Sequence, residues 1–177
     1  MTLVWVPALD RPDLLADPVV AALKSSEVAG DVTVAEIDPD LADTAEFCER
    51  YGVRLDESAN CVVVTGKRAG EARYAACMVL ATTRADVNNV ARRRLDVRKA
   101  SFASTDDAVS RTGMEYGGIT PVGAPDGWPV LVDAAVAAAP WVVVGSGVRR
   151  SKLALPGRTL AALPGAEVVD GLGVTIG

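Results

Sequence analysis

The segment that most constrains this chain is TGMEYGGITPVG, residues 112–123. Four glycines, one proline and two threonines fall within its twelve positions. A helix signal, Asp106-Asp107-Ala108-Val109, ends at its first glycine, and a strand signal over 128–132 follows its last. Gly117-Gly118 lets the backbone take positive φ or approach a ligand closely. Pro121 fixes its own φ and biases Thr120 toward an extended conformation. The result is a stiff loop that presents main-chain N–H groups with no side chains in the way, an arrangement suited to anions and oxyanions. On local composition alone, the plain reading is a glycine-rich hairpin or crossover turn.

The rest of the chain falls around this loop. Strands are expected at 3–6, 32–37, 61–64, 74–81, 99–103, 130–132, 141–144 and 153–155, with Val168-Val169 ending the regular structure. The polar, glycine-bounded stretch GKRAGEAR between 61–64 and 74–81 predicts an antiparallel hairpin. Pro18 opens one helix, and Asp43 or Thr44 caps a second that runs to Tyr51, with Gly52 as its stop. Further helices are expected over 86–95, from Ser104 to Arg111, and from Pro156 to Leu163. Gly145-Ser146-Gly147 makes a second tight turn, followed by Arg149-Arg150. Strand and helix signals do not alternate steadily, so a doubly wound sheet is not indicated. The expected fold class is α+β: a mixed sheet curling toward a barrel, with short helices packed outside. One domain spanning 1–177 is the natural reading of the length.

Composition narrows the chemistry. The chain contains no histidine, which removes Ser-His-Asp and Cys-His catalysis and the usual His-ligated metal sites. Chemistry must come from carboxylates, lysine, hydroxyls, backbone dipoles or the substrate's own groups. Cys48, Cys61 and Cys77 are widely spaced with no CxxC pair. Cys61 and Cys77 read as small core residues. No metal and no cofactor are expected. A net charge of −5 argues against broad, sequence-independent nucleic-acid binding but leaves room for a local basic patch. No apolar run approaches a membrane span, and no basic region precedes the N-terminal apolar residues, so a cytoplasmic protein is expected.

Several segments in order resemble the YbaK/ProX family of aminoacyl-tRNA deacylases, also described as the prolyl-tRNA editing domain. From Asp43 onward these are DTAEFCERYGV, ADVNNVARRRLDVRKASFAS, TGMEYGGITPVG, PVLVD and WVVVGSGVRRSKLAL. The resemblance implies a β-barrel-like sheet flanked by helices. It implies hydrolysis of the ester joining a small, wrong amino acid such as Ala, Cys, Ser or Thr to tRNA, proline tRNA among the candidates. The tRNA 3′ end is then the partner, with an aminoacyl-tRNA synthetase as a further candidate. The family is thought to work by substrate assistance, which a histidine-free chain suits.

Carried over residue by residue, the resemblance places catalysis at Gly117, Gly118 and Asn60. It places substrate binding at Thr112, Gly113, Pro121, Asp133, Ser146, Gly147, Arg149 and Arg150. Gly117 and Pro121 carry the GxxxP pattern, and the Gly117 backbone is the first candidate for holding the reacting aminoacyl group. Asp133 reads either as a contact for the α-amino group or ribose, or as the cap of the helix AAVAAA. Asn60 stands where the family carries a lysine. Lys67 and Arg68 lie in the following turn, and Arg149, Arg150 and Lys152 flank the second glycine turn, where they can meet phosphates. Two other readings stay open: a tRNA- or aminoacyl-binding module without catalysis, and a hydrolase of another small aminoacyl ester.

Overall fold

The computed structural model describes residues 2–176. Its backbone is the hairpin of β3 (Ala59–Arg68) and β4 (Glu71–Leu80), paired from Ala59↔Leu80 to Arg68↔Glu71. The turn is only Ala69-Gly70, with φ 52° and 81°, the positive pair that a type I′ turn requires. The strands are therefore longer, and the turn tighter, than the polarity of GKRAGEAR suggested. β6 (Ala100–Phe102) pairs antiparallel with β3, while β7 (Val130–Asp133) runs parallel to β4 and β10 (Ala166–Val169) parallel to β7. This gives a mixed five-stranded sheet in the order β10-β7-β4-β3-β6.

A second sheet is antiparallel, β1-β2-β9-β8, built from Val6–Pro7, Thr33–Glu36, Ser151–Leu155 and Val142–Gly145. A small pair joins β5 (Thr83–Ala85) to β11 (Gly173–Thr175). These sheets correct the expected single curled sheet: among the described residues there is no closed barrel, and one isolated bridge, Ser58↔Val143, links the two larger sheets. β5 and β11 carry no strong alternation and were not expected. The strand expected at 3–6 is only Val6–Pro7.

Side-chain alternation explains the layers. Val142, Val144, Leu153 and Leu155 of one sheet meet Ala76, Met78, Val130 and Val132 of the other in the principal core, with Val19 and Leu23 of α1 (Asp17–Lys24) filling one side. The outer face of the five-stranded sheet (Val64, Cys77, Leu131) is covered by Val87, Ala91 and Leu95. These sit on a segment that starts as a π-helix, Val87–Ala91, and continues as α3, Arg92–Leu95. The outer face of the four-stranded sheet (Val143, Ala154) is covered by Phe47 and Cys48 of α2 (Thr44–Tyr51). α4 (Thr105–Thr112) is capped by the Ser104 hydroxyl, which accepts from the Asp107 N–H at 3.1 Å. Gly52 ends α2 in the left-handed conformation, φ 71°.

Ala69 is a non-glycine residue held at φ 52°, a conformation that costs an L-residue roughly 1–2 kcal/mol. Ala69→Asn, which tolerates that region, is expected to raise unfolding stability by about 0.5–1 kcal/mol in urea titration. No change in midpoint would mean the turn relaxes without cost.

Candidate functional site

Two glycine turns are pressed together at the turn that joins β8 to β9. The Gly147 N–H donates to the Gly118 carbonyl at 2.7 Å, and the Glu115 N–H donates to the Gly147 carbonyl at 2.9 Å. A Cβ on Gly145 would stand 2.5 Å from the Gly118 oxygen, and one on Gly118 would stand 2.8 Å from the Val148 backbone. Only glycine permits this approach. Arg149 then staples the assembly: its N–H donates to Glu115 Oε1 at 2.8 Å, its guanidinium to the Tyr116 carbonyl at 3.1 Å and the Pro39 carbonyl at 3.2 Å, and it pairs with Asp43 at 3.5 Å.

The contact leaves a cavity of about 360 Å³ between this loop, the start of β3, the first turn of α2 and the β8–β9 pair, lined by Thr44, Asn60, Cys61, Gly117, Gly145 and Lys152 among others. Gly117 lines it at φ +81°, and its N–H donates to nothing among the described residues. The positive φ means that Gly117→Ala would add strain of its own, whatever the residue does chemically. Asn60 presents its side chain to the cavity, and its Oδ1 accepts from the Thr44 hydroxyl at 2.6 Å. That leaves the Asn60 NH₂ as a donor.

Lys152 is the residue that sequence reading placed wrongly. It was grouped with the basic turn, but it lies within β9 and is only 8 % exposed. Strand alternation puts Leu153 and Leu155 in the inter-sheet core and Lys152 with Ala154 on the face covered by α2. Its ammonium donates to the Ala42 carbonyl at 2.7 Å and lies 5.3 Å from the centre of the Phe47 ring. Burial, with Arg149 adding to it, pushes its pKa down to about 8, against weaker support from Cys48 and Asp43. A lysine set directly against the apolar run Leu153-Ala154-Leu155 is the signal available.

The remaining candidates are scaffold or lie elsewhere. The Thr112 hydroxyl donates to the Ala108 carbonyl at 2.7 Å, and Gly113 is the left-handed C-cap of α4. Ser146 is fully buried and bonded to Ser151 and the Val148 carbonyl. Gly147 packs against Ala16. Thr112 and Pro121 line a second, larger groove alongside Pro18 and Trp128. Arg150 reaches the Asp13 carbonyl at 2.6 Å, away from the cavity. Asp133 is buried and makes no side-chain cap for α5 (Ala134–Ala137); it accepts from the Gly173 N–H at 3.1 Å and so ties β11 to β7. Lys67 and Arg68 end β3 at the far tip of the hairpin, where Arg68 pairs with Asp96 at 2.6 Å. Among the described residues, Asn60, Gly117 and Lys152 are thus the sequence candidates that line the cavity.

No thiol there is poised for attack. Burial pushes the Cys61 thiol far up, and that of Cys77 up to about 12. Among the described residues no group of three or more Cys, Asp or Glu is gathered to hold a metal. Beside the Asp43 carboxylate, the lining residues carry donors: the Gly117 N–H, the Asn60 amide and the Lys152 ammonium. Such a set holds a carbonyl or a developing oxyanion.

Comparison with known families shows the chain's kinship. The aminoacyl-tRNA editing domain family matches residues 38–163, more than half of the chain. The chain belongs to that family, the family of YbaK. Among solved structures, it is similar to a candidate trans-editing enzyme for prolyl tRNA synthetase, at 24 % identity and a TM-score of 0.74 over 92 % of this chain and 97 % of the other. A scaffold used in epitope backbone grafting by computational design is similar at 24 % identity and 0.72, over 91 % of this chain and 97 % of the other. A hypothetical protein matches at 22 % identity and 0.69, over 80 % and 90 %. These likenesses establish a shared α+β fold. Among the described residues no helix of this editing-domain protein is long and apolar enough to cross a membrane.

The buried ammonium has a measurable cost. Its folded pKa of about 8 lies below the ordinary lysine value of 10.5, so between those values the unfolded chain binds more protons and stability rises with pH. Below about 8 the whole penalty is present. Lys152→Met is expected to melt above wild type at pH 7, with the gap narrowing toward pH 10. A Tm difference that is the same at both pH values would contradict this.

Proposed function

We propose that this chain is a trans-editing deacylase of mischarged tRNA, acting as a single domain in the cytoplasm on the aminoacylated 3′ end. The acyl group is a small amino acid, Ala, Cys, Ser or Thr, and proline tRNA is the first candidate. The observation that carries this reading is the pairing, in one small cavity, of the unbonded Gly117 N–H with the Asn60 amide and no activated nucleophile. At about 360 Å³ the cavity lies near the lower end of ligand sites, which span roughly 300–1,000 Å³; a small acyl group and part of the terminal ribose suit it. The likeness to a candidate trans-editing enzyme for prolyl tRNA synthetase supports proline tRNA and that synthetase as partners.

The chemistry is an acyl transfer to water. Water adds to the ester carbonyl carbon, and the resulting oxyanion is held by the Gly117 N–H. The bond from that carbon to the ribose oxygen then breaks. The departing oxygen takes up the proton that water releases, relayed through the neighbouring ribose hydroxyl, to give free amino acid and uncharged tRNA. Asn60 steadies the ribose, with Thr44 fixing the orientation of its amide. Arg149, beside the cavity through Asp43 and Tyr116, is the nearer of the two arginines for the terminal phosphates.

The test is a deacylation panel: proline tRNA charged with Ala, Cys, Ser, Thr or Pro, with and without EDTA, and with a 2′-deoxy terminal adenosine. Hydrolysis of at least one small acyl group, indifference to EDTA, and at least about tenfold loss on the 2′-deoxy substrate are expected. Tight tRNA binding with no turnover on any substrate would make the chain a binding module instead. Equal hydrolysis of free aminoacyl esters would point to a broader esterase.

A further inference from the structure

Among the described residues Lys152 is the only buried lysine or arginine, and the Phe47 ring face 5.3 Å away offsets only part of the cost of its charge. It makes one hydrogen bond, to Ala42, and no ion pair. The nearest acidic group, Asp43, is engaged by Arg149 and is 59 % exposed at its side chain. A buried ammonium without a carboxylate is expensive unless a ligand completes it. Two of its three N–H donors have no protein acceptor, and the residue lines the cavity with Gly117 and Asn60. The groups that face it are Asp43 and Cys48 from α2 and Arg149 from the glycine turn; Tyr116 and Cys61 are the other titratable groups of the lining.

We propose that Lys152 is a catalytic residue of this cavity, whose ammonium binds the carbonyl oxygen of the scissile ester and holds the negative charge that develops there. This rests on the deacylase reading above. The lysine keeps its proton throughout: it stabilises the oxyanion while the carbon–oxygen bond to ribose breaks, and the proton balance between water and ribose is unchanged. With a pKa near 8, its protonated fraction falls across the mildly alkaline range, so the enzymatic rate should fall there too. A lysine acting as a general base would give the opposite limb.

The experiment compares wild type with Lys152→Met, which keeps the length of the side chain and removes the charge. Deacylation is measured from pH 6.5 to 9.5. The substrate's own α-ammonium titrates in the same range but is common to both proteins. The expected result is a loss of roughly 10²-fold or more in kcat, disappearance of the alkaline fall, and Kd for uncharged tRNA within about twofold of wild type. A non-hydrolysable 3′-alanylamino-3′-deoxyadenosine should bind the variant roughly tenfold to hundredfold more weakly, as expected for losing a charge-assisted bond. A folded variant with wild-type rate, or the same alkaline fall in both proteins, overturns the proposal.

Should the variant not fold, the wild-type protein still decides the matter. NMR titration of the Lys152 side chain should show its pKa rising when the amide analogue binds, because a carbonyl partner favours the charged form; an unchanged titration overturns it. If wild type deacylates no substrate in the panel, the editing reading fails. In that case, analogue binding weakened by Lys152→Met retains Lys152 as a ligand contact, and equal binding removes it.

Discussion

The site depends on two main-chain contacts that no side chain could replace. The peptide of Gly118 and the backbone around Gly145 and Val148 approach so closely that a single added carbon at either glycine would collide. Hydrogen bonds between Glu115, Gly147 and Gly118 then lock one turn to the other. Because the β8–β9 turn is held this way, Gly117 and Lys152 come to line the same cavity. Arg149 adds a third fastening to the first turn of α2, which brings Thr44 and, through it, Asn60 into position.

The cavity gathers its donors from elements far apart in sequence: Thr44 from a helix start, Asn60 from the central hairpin, Gly117 from the glycine-rich loop and Lys152 from a strand. Each is simple in isolation. Together they give a histidine-free chain a small cavity lined by hydrogen-bond donors, and the proposed stabilisation of an oxyanion rests on that lining. The buried lysine is the costly member of the set. Structural economy alone would favour a methionine at that position, and natural proteins retain such costs at functional sites.

Most elements were legible because their signals were local. Pro18 at a helix start, Ser104 at a cap, Gly52 at a helix end and the apolar runs of β4 and β8 each act within a few residues. The strands divide between separate sheets and do not form a closed barrel because sheet membership is not local: β8 and β9 pair with β2 rather than continuing the sheet of β7, and the sequence of a buried strand does not state its neighbours. The site was half legible for the same reason. Gly117 and Asn60 were marked by motif. Arg150, Ser146 and Gly147 follow the same loops but point into scaffold contacts. Lys152 was displaced in the reading by two residues, the difference between a strand starting at Leu153 and one starting at Ser151. In a period-two element, that boundary decides whether a lysine is seen as solvated or enclosed.

The pairing of Gly145 with Lys152 across β8 and β9 has a further consequence. Slipping β9 by one residue would turn Lys152 to the opposite face, among Val34, Val142 and Val144. An ammonium there would stand among buried valines, and it would displace a leucine from the principal core. The charge thus disfavours that slipped register, and the alignment that builds the cavity is also the one that spares the core a cation.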